Sequence, residues 1–212
     1  MTIFDLIARF FQSGGVFMYP ILVVFAIGLS IALERIWYLT RARRENLSLW
    51  LHLMPLINEG RLDDARAMAN KSKTAIGRVI GHGMLHLGVD SGGERTEAAV
   101  DVSLLEIMPQ LSRRTHYLAT FANVATLLGL LGTIVGLIHG FAATGDLAPA
   151  DKQNQLSEAV SQAMNCTAFG LVVAIPFMLV HAWLQSVTDE LVDNVEVAAV
   201  KFVNSIAGRG RS

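Results

Sequence analysis

The sequence predicts an all-α membrane protein with three transmembrane helices, the second and third extended as long helices into the cytoplasm. Three observations predict it. The 212-residue chain is 52% hydrophobic and 17% charged, and its apolar residues gather in three blocks, each long enough for the roughly 20 residues that cross a bilayer. Between Arg114 and Asp146 there is no formal charge. Lys and Arg are distributed unevenly: eleven of 17 fall between Thr40 and Thr115, three follow the third block (Lys201, Arg209, Arg211), and only Lys152 separates the second block from the third.

Residues 1–15 read as a short amphipathic segment (Ile3, Leu6, Ile7, Phe10, Phe11, with Asp5 and Arg9), without the small-residue cleavage pattern of a secretory signal. The first span covers 16–39 and closes on Glu34-Arg35, where a local ion pair at the headgroup boundary is expected. Residues 40–115 form a loop and stalk. Arg41, Arg43 and Arg44 make a basic collar suited to anionic lipid. Leu47 to Leu87 then suggest short amphipathic helices interrupted at Pro55, Gly60 and Gly77, followed by a turn-rich break from Gly88 to Gly93. From Glu94 the helical pattern runs to about Ala143, roughly 75 Å at 1.5 Å per residue, with a bend allowed at Pro109. The second span occupies 116–143, a short loop 144–158 and the third span 159–186, kinked at Pro176. A helix over 187–212 keeps Leu191, Val195, Ala198, Phe202 and Ile206 on one face and frays from Arg209 to Ser212. The basic-residue asymmetry places the N-terminus and the short loop outside, and the long loop and tail inside.

Composition removes several function classes. A net charge of −1 gives nucleic acid no electrostatic footprint. The single cysteine, Cys166, excludes an intramolecular disulfide and argues against a cysteine-based metal site. No GxSxG, HExxH or phosphate-binding glycine loop is present, so neither an enzyme nor a metal or other cofactor is expected.

The second block reads LLGLLGTIVGLIHG from Leu127 to Gly140. Gly129, Gly132, Gly136 and Gly140, with Ala122 and Ala125, share one helical face, and a stripe without side chains lets another helix backbone approach closely. The stripe is expected to serve helix packing and oligomerisation. At its edge lies Thr133, one face with Thr126. The third block opens with a polar set: Glu158, Ser161, Gln162 and Asn165 on one stripe, then Cys166 and Thr167. Polar groups in hydrocarbon are expensive unless paired or wet, which makes each a functional candidate. Threonine also satisfies itself on its own helix carbonyl, the plainer role for Thr126. His139 and His181, the latter near Trp183, suit interfacial positions. Apart from Glu158 at its margin, neither polar-bearing span holds an Asp or Glu. Hydroxyls and amides do not titrate near neutral pH, so a proton carrier built from this chain needs its acid from a partner.

These residues resemble the MotA/TolQ/ExbB family of proton-driven motor subunits, in size and layout ExbB and TolQ. The likeness begins with GGVFMYPIL (Gly14 to Leu22) and ALERIWYL (Ala32 to Leu39). It is most specific in LATFANVATLLGLLGTIVGLIHGF (Leu118 to Phe141) and AMNCTAFGLVVAIP (Ala163 to Pro176). It implies a homopentamer in the bacterial inner membrane around two helices of an ExbD- or TolR-like single-span partner. That partner's membrane Asp faces Thr133 and Thr167, and force passes to a TonB-like periplasmic protein. Thr126, Gln162 and Asn165 complete the expected pore wall. The family often has Pro where Thr126 stands and Glu where Gln162 stands. The competing reading is a non-conducting membrane scaffold held together by the glycine stripe.

Overall fold

The computed structural model describes residues 11, 14–87, 94–145 and 148–209; the proposed amphipathic segment up to Phe10, the Gly88–Gly93 break and the last three residues of the frayed tail lie outside the described residues. Among the described residues six long helices follow one another: α1 (Met18–Asn58), α2 (Leu62–Lys71), α3 (Ala75–Leu85), α4 (Glu94–Ser112), α5 (His116–Ala143) and α6 (Pro149–Arg209). No strand occurs among the described residues. Apolar stretches long enough to cross a membrane lie in α1, α5 and α6. The chain is an all-α, multi-pass membrane protein.

Two of these helices far exceed a bilayer: the 41 residues of α1 and 61 of α6 reach about 60 and 90 Å. α1 continues through Pro55, where the sequence suggests an interruption, and ends at Asn58, just before Gly60. The physical reason lies in the cap. Gly60 takes φ +82°, its N–H bonds the Ile57 carbonyl (3.2 Å), and Arg61 N–H bonds the Leu56 carbonyl (3.0 Å), a Schellman arrangement that satisfies the last carbonyls. Gly77, also read as an interruption, sits inside α3; the start of that helix is set by Thr74, whose Oγ1 accepts from Gly77 N–H (3.1 Å).

The helix expected to continue from Glu94 to Ala143 breaks instead at 113–115. Pro109 stays inside α4, while Arg114 adopts φ +69°, a left-handed conformation that costs a non-glycine residue energy and ends the ladder. Glu34 and Arg35, expected to pair with each other, go separate ways. Glu34 meets Arg114 at 3.4 Å, both about half exposed, and Arg35, 4% exposed, donates to the Leu111 carbonyl in the last turn of α4. Charge attraction along the chain is weaker here than the demand of an orphaned helix-end carbonyl.

The chain divides into two compact units. One comprises residues up to Glu34 and Arg114–Ala182. Its core is Ile21, Ala122, Ala125, Cys166, Val173, Ala174 and Phe177, and its outside is also apolar: Val23, Leu127, Ile138, Val172 and Leu179 are all exposed. Apolar residues on both inside and outside are what a lipid-embedded bundle requires. The other unit comprises Arg35–Arg113 and Trp183–Ser212. It buries Leu53, Ile57, Val79, Ile80, Met84, Leu191 and Phe202 behind a charged exterior. Asn46, 3% exposed, ties it together: its Oδ1 accepts from Ile76 N–H (2.8 Å) while its Nδ2 donates to the Ala42 carbonyl (2.8 Å).

Candidate functional site

In the apolar unit the glycine face of α5 lies directly against α6 of the same chain. A Cβ placed on Gly129 would meet Thr167 Cα at 3.2 Å and the Cys166 carbonyl at 3.3 Å. On Gly132 it would collide with Cys166 Sγ, on Gly136 it would meet Ala163 Cβ at 3.3 Å, and on Gly140 it would collide with Ala159 Cβ. Residue numbers rise on one helix as they fall on the other, so the pair is antiparallel. Ala159, Ala163, Cys166 and Gly170, spaced four, three and four, supply the matching small face. At Gly170 the approach is backbone to backbone: a Cβ would sit 2.7 Å from the Ala125 carbonyl oxygen. The stripe thus shapes one helix pair within a single chain.

That close approach sets the polar groups. Thr167 Oγ1 donates to the Gly129 carbonyl across the helix pair (2.9 Å). Thr133 Oγ1 donates to Leu130 (2.6 Å) and Thr126 Oγ1 to Ala122 (3.1 Å), both on their own helix. All three hydroxyl protons are therefore committed to carbonyls, while the oxygen lone pairs stay available as acceptors. Because Thr167 is level with Gly129, it stands between the other two along the axis, about 4.5 Å from the level of Thr126 and about 6 Å from that of Thr133. Thr133 and Thr167 are half-buried, and Thr126 is exposed.

The polar stripe at the start of the third span is split by the same packing. Glu158, Ser161 and Gln162 are exposed, and Asn165 is half-buried. Gln162 and His139, separate in the sequence, line one cavity of about 310 Å³ with Gly14, Gly15, Phe17 and Gly136. Gly15 takes φ +78°, and a Cβ there would lie 2.5 Å from Gln162 Nε2, so the turn before α1 seats directly on this amide. Nδ1 of His181 faces the Thr115 carbonyl (3.0 Å); since a carbonyl only accepts, Nδ1 carries the proton. Asn123 is the residue that sequence reading passes over. It lies within the charge-free helix, exposed, and its carboxamide has no hydrogen-bond partner among the described residues. The signal for it is an amide three residues before Thr126, in an otherwise apolar turn.

Residues 71–197, more than half of the chain, match the MotA/TolQ/ExbB proton channel family. The chain belongs to that family. Among the relatives of this MotA/TolQ/ExbB member, an ExbB homolog described as a biopolymer transport protein in Methanothermobacter thermautotrophicus is 29% identical over 203 residues, covering 93% of this chain and 69% of the relative. An ExbB-like biopolymer transport protein of Synechocystis is 30% identical over 187 residues, 86% of this chain and 72% of its own. The Tol-Pal system protein TolQ of Haemophilus influenzae is 31% identical over 86 residues, 41% of this chain and 37% of TolQ. The matched stretch includes α5 and the apolar part of α6, where the threonines and the glycine stripe lie.

Proposed function

We propose that this chain is the ring-forming subunit of a proton-driven motor: a homopentamer in the bacterial inner membrane around two helices of an ExbD- or TolR-like single-span protein, converting proton-motive force into mechanical work on a TonB-like periplasmic partner, as energised transport of biopolymers requires. The names of its relatives, ExbB and TolQ, support the process, and the distribution of Lys and Arg supports a periplasmic N-terminus with the α4 stalk and the end of α6 in the cytoplasm. One observation carries the reading. α5 and the stretch of α6 from Ala159 to Thr188 contain no Asp, Glu, Lys or Arg, yet they carry Thr126, Thr133, Thr167, Gln162 and Asn165.

The hydroxyl geometry suits a carboxyl that arrives from another chain. With their protons held by carbonyls, Thr133 and Thr167 accept hydrogen bonds, which matches a protonated Asp that donates one. The ionised Asp finds a hydroxyl donor there only if a threonine gives up its bond to a carbonyl. The two threonines therefore favour the neutral acid, as a mid-membrane resting point for a carried proton requires. Gln162, where relatives often carry Glu, orders water or the Gly15 turn and holds no proton. Each charge crossing about 100 mV releases about 2.3 kcal/mol, enough to bias a step between near-equivalent positions of a ring.

The test is co-expression with a single-span Asp-bearing partner and reconstitution into liposomes reporting internal pH. Thr133→Val and Thr167→Val should each cut proton flux by at least about tenfold, while subunit stoichiometry by native mass spectrometry stays that of the parent. The hydrogen bond lost in Thr167→Val contributes only about 0.6 to 1.7 kcal/mol, too little to dissolve the ring. Normal flux in both variants would remove the threonines from the proton path and leave the scaffold reading.

A further inference from the structure

Asn123 stands on a face of α5 that nothing among the described residues covers. The glycine face is turned to α6, and Asn123 is displaced from Gly129 and Gly136 by about 120° to 140° around the helix, so α6 does not reach it. Thr126 and Thr133 lie between the two directions, about 60° and 80° from Asn123 at 100° per residue. Along the axis Asn123 is about 4.5 Å before Thr126 and about 15 Å before Thr133. Centring a hydrocarbon core of about 30 Å on the 28-residue helix places Asn123 about 5 Å inside it.

Three physical facts then bear on this side chain. Unlike Thr120, Thr126 and Thr133, which satisfy themselves on carbonyls three or four residues back, Asn123 has no hydrogen-bond partner among the described residues and presents two N–H donors and a carbonyl to what surrounds the chain. Lipid tails offer nothing to any of them. Water does, and so does a neighbouring polar chain.

We propose that Asn123 lines the N-terminal mouth of the proton path, where its carboxamide holds a water file leading to Thr126, Thr167 and Thr133. The inference rests on the proton-channel reading above and extends it from the threonines to the helix end. The amide does not titrate; it accepts from one water and donates to the next, keeping the file continuous through the last few ångströms of hydrocarbon. Thr120 and Thr126, each about 4.5 Å away along the axis, spend their hydroxyl protons on their own helix, which leaves Asn123 as the one carboxamide in α5.

Two measurements on the complex with the single-span partner test it. In a Cys166→Ala background, Asn123→Cys is treated with a cationic, water-soluble methanethiosulfonate; a thiol in a wet path reacts, because only water supports the thiolate. Most of the thiol should be modified before denaturation, and a thiol that reacts only after denaturation overturns the proposal. In the second arm, Asn123→Leu should lower proton flux by about tenfold and Asn123→Gln should stay within about threefold of the parent, both with unchanged subunit count. Full flux in Asn123→Leu overturns the proposal. So does loss of the oligomer in that variant, which would make Asn123 a subunit contact. A water-reactive thiol in a complex whose unmutated form carries no proton flux overturns the channel reading itself, and the two failures are thereby told apart.

Discussion

Gly170→Ala is the sharpest test of how the apolar unit is held together. The added Cβ would lie 2.7 Å from the Ala125 carbonyl oxygen and 3.2 Å from Gly129 Cα. Both obstacles are backbone of α5, so no side chain can turn away. Ordinary contact needs about 0.7 Å more, and the helices would part by that amount at the level of Thr167. The Thr167–Gly129 hydrogen bond, 2.9 Å in the parent, would stretch to about 3.6 Å and cease to be one. Overpacking of this kind costs about 1 to 3 kcal/mol, the lost bond about 0.6 more, and the better helix propensity of alanine returns up to about 1. The net loss is about 1 to 3 kcal/mol, or roughly 2 to 12 °C in Tm for a chain of this size. Gly136→Ala is the matched control. There the Cβ meets Ala163 Cβ at 3.3 Å and backbone only at 3.6 Å, so Tm should move by less than about 2 °C. Thermal unfolding of both variants in one detergent, followed by circular dichroism, decides it. Equal melting of Gly170→Ala and the parent, or equal damage from both substitutions, would refute the antiparallel small-residue packing.

Three further outcomes follow from other parts of the chain. Asn46→Ala strands the Ile76 N–H, which has no partner in the first turn of α3, and should destabilise the polar unit by about 1 to 3 kcal/mol; faster amide exchange at the start of α3 is the local readout. Arg35→Met removes the donor that caps Leu111 and should cost about 1.5 to 3 kcal/mol, whereas Glu34→Gln, which weakens a half-exposed pair, should cost less than about 1 kcal/mol; chemical denaturation of the two variants side by side separates them. Arg114→Gly relieves a positive φ and should leave Tm within about 2 °C of the parent, while Arg114→Val, β-branched at the same φ, should lower it measurably.

Much of the architecture is legible in composition and helical period alone. Charge-free runs of this length announce spans, and the period of Leu191, Val195, Ala198, Phe202 and Ile206 foretells the long tail of α6. The candidate site is legible in part: the glycine face and the hydroxyl of Thr133 at its edge follow from composition and phase, whereas Thr167 enters only through the family resemblance. The misreadings are equally specific. Pro55 and Gly77 carry helix-breaking chemistry, yet both lie inside helices, because tertiary packing outweighs the few kcal/mol that proline or glycine costs. The real break, at Arg114, has no propensity signal at all. Its anchors are Glu34, 80 residues away, and the carbonyl held by His181, 66 residues from Thr115.

Three apolar spans, the lack of any acid beside the threonines and a small-residue face can all be read from the chain alone, because each is a local sum or a helical period. What that face meets is settled by packing. Helical phase says which residues share a side and is silent on which helix covers it. Here α6 fills the glycine face, Thr167 bonds across to Gly129, Gln162 meets His139 at one cavity, and Asn123 is left facing outward. Each of these depends on residues brought together from distant parts of the chain.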